Sequence, residues 1–217
     1  MPLRVFFLSA GRCGTQWITH AFNTLYGDII ATHEPLIGGY KCRESYLNPG
    51  FVPVEVMNHF ARIGIVACQS IYLETAWQFF TAVDYADSMF SDQLRVIHLV
   101  RSRDDVARSM VTHRFYTNRK IDAFSSYCVL DPVTDNYLIP AGDWLAKTQF
   151  ERCQWLWTEI NNYSEQVVSR LGDRAMSVSY EEIFNGDGFD TICNWLGLEY
   201  RDVTDIKKRK VDKHAVI

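Results

Sequence analysis

The chain has 217 residues, 47 % of them hydrophobic and 22 % charged, with a formal net charge of −4. That length and balance fit one folded domain with a sizeable core and exclude a disordered chain. The acidic balance argues against a general nucleic-acid binder, which carries a basic field. No stretch approaches a membrane span, and the first apolar run, Val5 to Leu8, is too short for a signal peptide.

The six cysteines (Cys13, Cys42, Cys68, Cys128, Cys153 and Cys193) are scattered, and no pair has the C-x2-C spacing of a zinc or redox motif. They read as free, mostly buried thiols of a reducing compartment, so the expected location is cytoplasmic.

In chain order, Val5 to Leu8 reads as a strand that stops at Ser9-Ala10-Gly11, and an apolar-periodic helix follows from Trp17 to Leu25. Between them lies Arg12-Cys13-Gly14-Thr15-Gln16. Strand, glycine turn and helix start gather unpaired backbone N–H groups at the positive end of a helix, which suits an anion, above all a phosphate. Gly11 and Gly14 permit positive φ there, and Arg12 adds a forked cationic donor. The Lys-Ser/Thr that follows the second glycine of a nucleoside-triphosphate loop is replaced by Thr15-Gln16.

Asp28 to Thr32 reads as a second strand, ending in His33-Glu34-Pro35. Pro35 favours extended backbone at Glu34, which would send His33 to the opposite side. A carboxylate at the C-terminal end of a strand is where open α/β sheets place chemistry. Leu36 to Pro53 reads as a loop-rich segment, Val54 to Arg62 as a helix and Ile63 to Cys68 as a buried third strand. Tyr72 to Phe80 reads as helical with Glu74 near its start, and Asp84 to Phe90 continues as helix.

Arg95 to Val100 is a β-branched strand bounded by charge, with His98 inside it as a core histidine. Arg101 follows, then a helix through Asn118 that carries Ser109 and His113. Residues 121–147 have no clear period and read as an insertion or mobile loop, of a length that is usually functional or disordered. Phe150 to Leu171 reads as a long amphipathic helix, Ala175 to Ser179 as the last strand, and Gly188 to Leu196 as a closing helix. The tail, 205–217, carries five cations within seven residues (Lys207 to Lys213), a solvated face or a flap over a polyanion. Alternating strands and helices imply one α/β domain over 1–217, a three-layer arrangement with a mainly parallel sheet flanked by helices.

Three segments together resemble the sulfotransferases that use 3'-phosphoadenosine 5'-phosphosulfate (PAPS). Arg12 to Trp17 is similar to that family's 5'-phosphosulfate loop. Arg101 and Ser109 stand at the eight-residue separation with which the family grips the 3'-phosphate. Val178 to Ile183, with the trailing Trp195 to Tyr200, resembles the family's strand followed by Tyr-Glu-Asp-Leu. The order and spacing of the three run from the first strand to residue 200, and the subtype resembled is the carbohydrate, tyrosylprotein and bacterial one rather than the cytosolic aryl and steroid one. The Glu-Pro after the second strand carries that distinction, since Cys68-Gln69-Ser70 lacks the histidine of the cytosolic enzymes. The fold implied is the P-loop-like sulfotransferase fold.

The resemblance implies that Arg12, Cys13, Gly14, Thr15 and Gln16 hold the 5'-phosphosulfate and that Arg101 and Ser109 hold the 3'-phosphate. Tyr180 would lie beside the purine, and Trp17 would pack by the adenine or in the core. The reaction implied is transfer of the sulfuryl group to a hydroxyl of a sugar or other small molecule, in line and without metal. Glu34 would be the base, with Arg12 neutralising charge on the departing bisphosphate. His33, His113 and Glu74 are further candidate substrate contacts. Two other readings stand beside this one: a kinase-like phosphotransferase with an atypical loop, and a non-catalytic protein that binds the product nucleotide, adenosine 3',5'-bisphosphate (PAP).

Overall fold

The computed structural model describes residues 2–36, 38–117, 129–132 and 141–208. Its centre is β1 (Arg4–Leu8), buried at all five positions, as an apolar strand covered on both faces must be. Arg4 is tolerated there because its guanidinium donates to the carbonyls of Ala67 at 2.8 Å and Ser70 at 3.1 Å. It thereby meets the negative C-terminal end of α3 (Val54–Val66).

The other strands are β2 (Ile29–His33), β3 (Ile71–Thr75), β4 (Leu94–Val100) and β5 (Ala175–Ser179). The five-stranded sheet runs β2-β3-β1-β4-β5, and every neighbouring pair is parallel. Among the described residues, the other α-helices before β5 are α1 (Thr15–Leu25), α2 (Cys42–Leu47), α4 (Val83–Phe90), α5 (Arg103–Thr112), α6 (Ala141–Ala146) and α7 (Gln149–Leu171). After it come α8 (Tyr180–Asn185), α9 (Gly188–Trp195) and α10 (Thr204–Lys208). Helices flank the sheet, and one apolar core runs through it, with Phe6 stacked on Phe79 at 4.2 Å between ring centroids.

From β1 the chain passes through α1 to β2 on one side. From β4 it passes through α5 and α7 to β5 on the other. The loops after the adjacent strands β1 and β4 therefore diverge, and the crevice between such loops is where open α/β sheets hold ligands. Two capping boxes fix the ends of elements beside it. Thr148 and Glu151 exchange hydrogen bonds of 3.2 and 2.7 Å at the start of α7, and Ser179 and Glu182 exchange bonds of 3.1 and 2.7 Å at the start of α8.

Three expectations are corrected. Ile63 to Cys68 is not the third strand: α3 continues through Val66, burying Val56, Phe60 and Ile63 at helical spacing and leaving Ile65 and Val66 exposed. The third strand is Ile71–Thr75, inside a stretch expected to be helical, and a 3-10 turn, Trp77–Ala82, follows it. The segment 36–53 contains α2. Most of 121–147 and the tail beyond 208 lie outside the described residues. Among the described residues no helix is long and apolar enough to cross a membrane.

Candidate active site

The loop after β1 is built from left-handed backbone. Gly11, Arg12 and Gly14 have φ of 77°, 56° and 79°, the region that glycine enters freely and other residues rarely. Gly14 is the N-cap of α1, with no side chain to satisfy the first N–H groups. A Cβ on Gly14 would stand 2.9 Å from Phe184 and 3.2 Å from Tyr180, so glycine is needed for space as well as for φ. The result is a cradle of backbone donors at the positive end of a helix.

The loops after β1 and β4 are tied together. Arg101 Nη1 donates to the Arg12 carbonyl at 2.8 Å, and Arg12 Nε donates to Ser109 Oγ, on α5, at 3.0 Å. Trp157 Nε1, on α7, donates to the Arg101 carbonyl at 3.1 Å. The Arg101 guanidinium lies 4.5 Å from the centre of the Tyr180 ring, which its capping box places at the end of β5. Arg101 Nε is shielded from solvent with no hydrogen-bond partner, a donor that an anion would satisfy. The donor set therefore suits an anion.

At the end of β2, Glu34 has φ of 46°, not the extended conformation that the following proline favours. The turn-back keeps His33 and Glu34 on one side, with His33 Nε2 3.9 Å from Glu34 Oε1. His33 Nδ1 lies 3.0 Å from the Thr75 carbonyl, which only accepts, so Nδ1 carries the hydrogen and neutral His33 keeps its lone pair on Nε2. Burial lowers the His33 pKa and holds the ring neutral. Burial raises the Glu34 carboxyl above its ordinary value, with Arg12 partly opposing the rise.

These groups line one cavity of about 1230 Å³, formed at the C-terminal ends of the strands. The expected residues that it brings together are Arg12, Gly14, Thr15, Gln16, His33, Glu34, Arg101, Ser109, His113 and Tyr180. Three expected residues lie elsewhere. Cys13 is 1 % exposed, its thiol donates to the Gly11 carbonyl at 3.0 Å, and burial pushes its pKa up to about 12. Trp17 is a core residue, edge-on to Phe189 and donating from Nε1 to the Ile206 carbonyl at 3.3 Å. Glu74 is wholly buried in β3 and accepts from Tyr40, from Tyr72 at 2.7 Å and from His59 at 2.7 Å, so it cross-links the core instead of facing the cavity.

The sequence reading did not single out Arg43, Trp77, Arg114, Trp144 or Arg152, which also line the cavity. Trp77 follows β3 and packs over Gly11, 3.5 Å from where a Cβ would stand. Its signal is the aromatic run after Thr75, inside the stretch expected to be helical. The arginines carry no motif, and only the fold assembles them.

The fold and the site together define an α/β domain with a parallel five-stranded sheet whose loops after β1 and β4 are tied to each other beside one cavity. Among solved structures, that architecture is shared with sulfotransferase domains. The sulfotransferase domain from the curacin biosynthetic pathway superposes with a TM-score of 0.60 at 14 % identity, over 93 % of this chain and 76 % of that one. The sulfotransferase domain of the Synechococcus PCC 7002 olefin synthase gives 0.53 at 15 %, over 93 % and 74 %. A sulfotransferase from Alicyclobacillus acidocaldarius gives 0.53 at 12 %, over 95 % and 88 %. At such identities the likeness is one of fold. No family model matches the sequence, and no curated protein matches it.

Proposed function

We propose that the chain is a PAPS-dependent sulfotransferase acting on a hydroxyl of a sugar or other small-molecule acceptor. The single observation that carries the reading is the contact between the cradles. Arg101 bonds to the Arg12 backbone while Arg12 bonds to Ser109, so two phosphate-binding loops share one cavity with an ionisable carboxyl. The carbohydrate or bacterial subtype rests on Glu34-Pro35 alone.

When bound, PAPS supplies the sulfuryl group. The loop N–H groups from Gly14 to Gln16 and the Arg12 guanidinium hold the 5' end. Arg101 and Ser109 hold the 3'-phosphate, and Tyr180 lies against the purine. Cys13 contributes only its backbone, because its thiol is turned into the core. Glu34 accepts the acceptor's proton, and its raised pKa makes it a stronger base than a free carboxylate. The 3.9 Å between Glu34 and His33 Nε2 is too long for a hydrogen bond between them, so the acceptor hydroxyl donates its single hydrogen to Glu34. Arg12 and the helix N-terminus neutralise charge that grows on the leaving phosphate, the part of sulfuryl transfer that positioning and electrostatics can accelerate.

Thermal-shift titration with PAP, adenosine 5'-phosphate and ATP with magnesium tests the donor, and labelled PAPS with a panel of hydroxyl acceptors tests the transfer. PAP is expected to stabilise most, and Glu34→Gln to lower turnover about 10²–10⁴-fold with PAP affinity unchanged. Preference for ATP-magnesium would favour the kinase reading. Tight PAP binding with full transfer by Glu34→Gln would remove the base.

A further inference from the structure

We propose that the acceptor itself carries an oxyanion, a carboxylate or a phosphate or sulfate ester, seated by Arg114 and Arg152. The inference rests on the donor assignment above and names the acceptor class for the same cavity.

The cavity's charge is the first observation. Its described lining holds five arginines, Arg12, Arg43, Arg101, Arg114 and Arg152, against two carboxylates, Glu34 and Asp131. This occurs in a chain whose net charge is −4, so cations have been concentrated here against the overall composition. Every cation in that lining is an arginine and none is a lysine. Arginine's planar fork matches carboxylate and phosphate oxygens bidentately, which a lysine cannot do.

Arg12 and Arg101 belong to the two cradles. Arg114 and Arg152 come from other elements, the turn after α5 and the first turn of α7. At about 1230 Å³ the cavity exceeds the roughly 300–1,000 Å³ of a single-ligand site, leaving room for an acceptor beside the nucleotide.

The second observation is how these two arginines are held. The turn after α5 places both Arg114 and Tyr116 in left-handed backbone, with φ of 63° and 55°. Three contacts keep it there: Phe115 N–H to the Met110 carbonyl at 3.1 Å, Gln149 to the Phe115 carbonyl at 2.6 Å, and the Tyr116 hydroxyl to the Leu130 carbonyl at 2.6 Å. Backbone strain sustained by its surroundings in this way gathers at ligand clamps. Arg152 lies with its guanidinium 5.3 Å from the centre of the Trp144 ring, and its Nε is shielded from water with no acceptor. Its Nη2 donates to the Leu145 carbonyl at 3.3 Å, so the fork is anchored in the cavity wall.

The test uses the whole chain saturated with PAP and inorganic phosphate as the probe, with affinity read by calorimetry. Phosphate is expected to bind the PAP-saturated protein. Its Kd should rise at least tenfold in Arg114→Gln, whose side chain is exposed, and likewise in Arg152→Gln. PAP affinity should be the same in all three proteins.

If PAP binds but phosphate does not add to the PAP complex, the inference fails while the donor assignment stands. If PAP affinity falls with phosphate affinity in both variants, the arginines serve the nucleotide and the inference fails. If PAP itself does not bind, the donor assignment fails first and takes the inference with it.

Discussion

Gly14→Ala tests the anion loop at its tightest point. The residue has φ of 79°, and a methyl there would stand 2.9 Å from two ring atoms of Phe184 and 3.2 Å from Tyr180. Holding a non-glycine residue in left-handed backbone costs about 1–2 kcal/mol. Overpacking adds about 1–3 kcal/mol, and the stiffer unfolded chain offsets about 0.4–1 kcal/mol. The net loss should be about 1–5 kcal/mol, or roughly 2–20 °C in Tm at about 2–4 °C per kcal/mol for a chain of this size. Urea unfolding with and without PAP reads both the loss and its consequence for the cradle, since PAP affinity should fall as the loop moves away from Tyr180. Gly27→Ala is the control: nothing lies within 4 Å of its added methyl and its φ is not positive, so stability should change by less than about 1 kcal/mol. Equal stability of Gly14→Ala and Gly27→Ala would refute the geometry of the loop.

Arg101→Ala should weaken PAP about 10–150-fold, the loss of about 1.5–3 kcal/mol from charge-assisted hydrogen bonds, and leave adenosine 5'-phosphate nearly unaffected. Equal weakening of both nucleotides in a binding titration would take the 3'-phosphate away from this residue. The pH profile has a definite sign. Glu34 must be ionised to accept a proton and its pKa lies above the ordinary 4.5, so kcat/KM should fall as pH drops through that raised value. An acid limb at or below 4.5, or one that survives in Glu34→Gln, would clear Glu34 of the role. Glu74→Gln disturbs a buried carboxylate that accepts from three donors. It should cost about 1–3 kcal/mol of stability in a denaturant melt while leaving PAP affinity intact, and a specific loss of turnover without loss of stability would return Glu74 to the site.

The loops that meet at the cavity could be read from the residues because each part is local. The loop from Arg12 to Gln16, the Arg101–Ser109 pair and the Ser179–Glu182 capping box are set by neighbours within ten positions. The same locality explains β1, β4 and β5. The third strand was misplaced because Ile63 to Cys68 is apolar at both periods, whereas the true strand carries Glu74, a charge that only Tyr40, Tyr72 and His59 make tolerable. Two of those three partners come from outside the strand, and sequence reading has no access to them. Glu34 went the same way in miniature: Pro35 argued for extended backbone, yet the residue turns back and keeps His33 beside it. The arginine wall was invisible for a simpler reason, because Arg43, Arg114 and Arg152 sit on three separate elements.

The inward rotation of Cys13 has a practical corollary. A sulfhydryl at the mouth of a phosphate loop invites oxidation and alkylation, since a helix N-terminus ordinarily activates sulfur. Here the Gly11 carbonyl and the surrounding core keep that atom protonated and out of reach. Of the described cysteines Cys68 alone is exposed, beyond the end of α3. Among the described cysteines, maleimide dyes or peroxide should therefore find Cys68 first, a position outside the lining of the cavity.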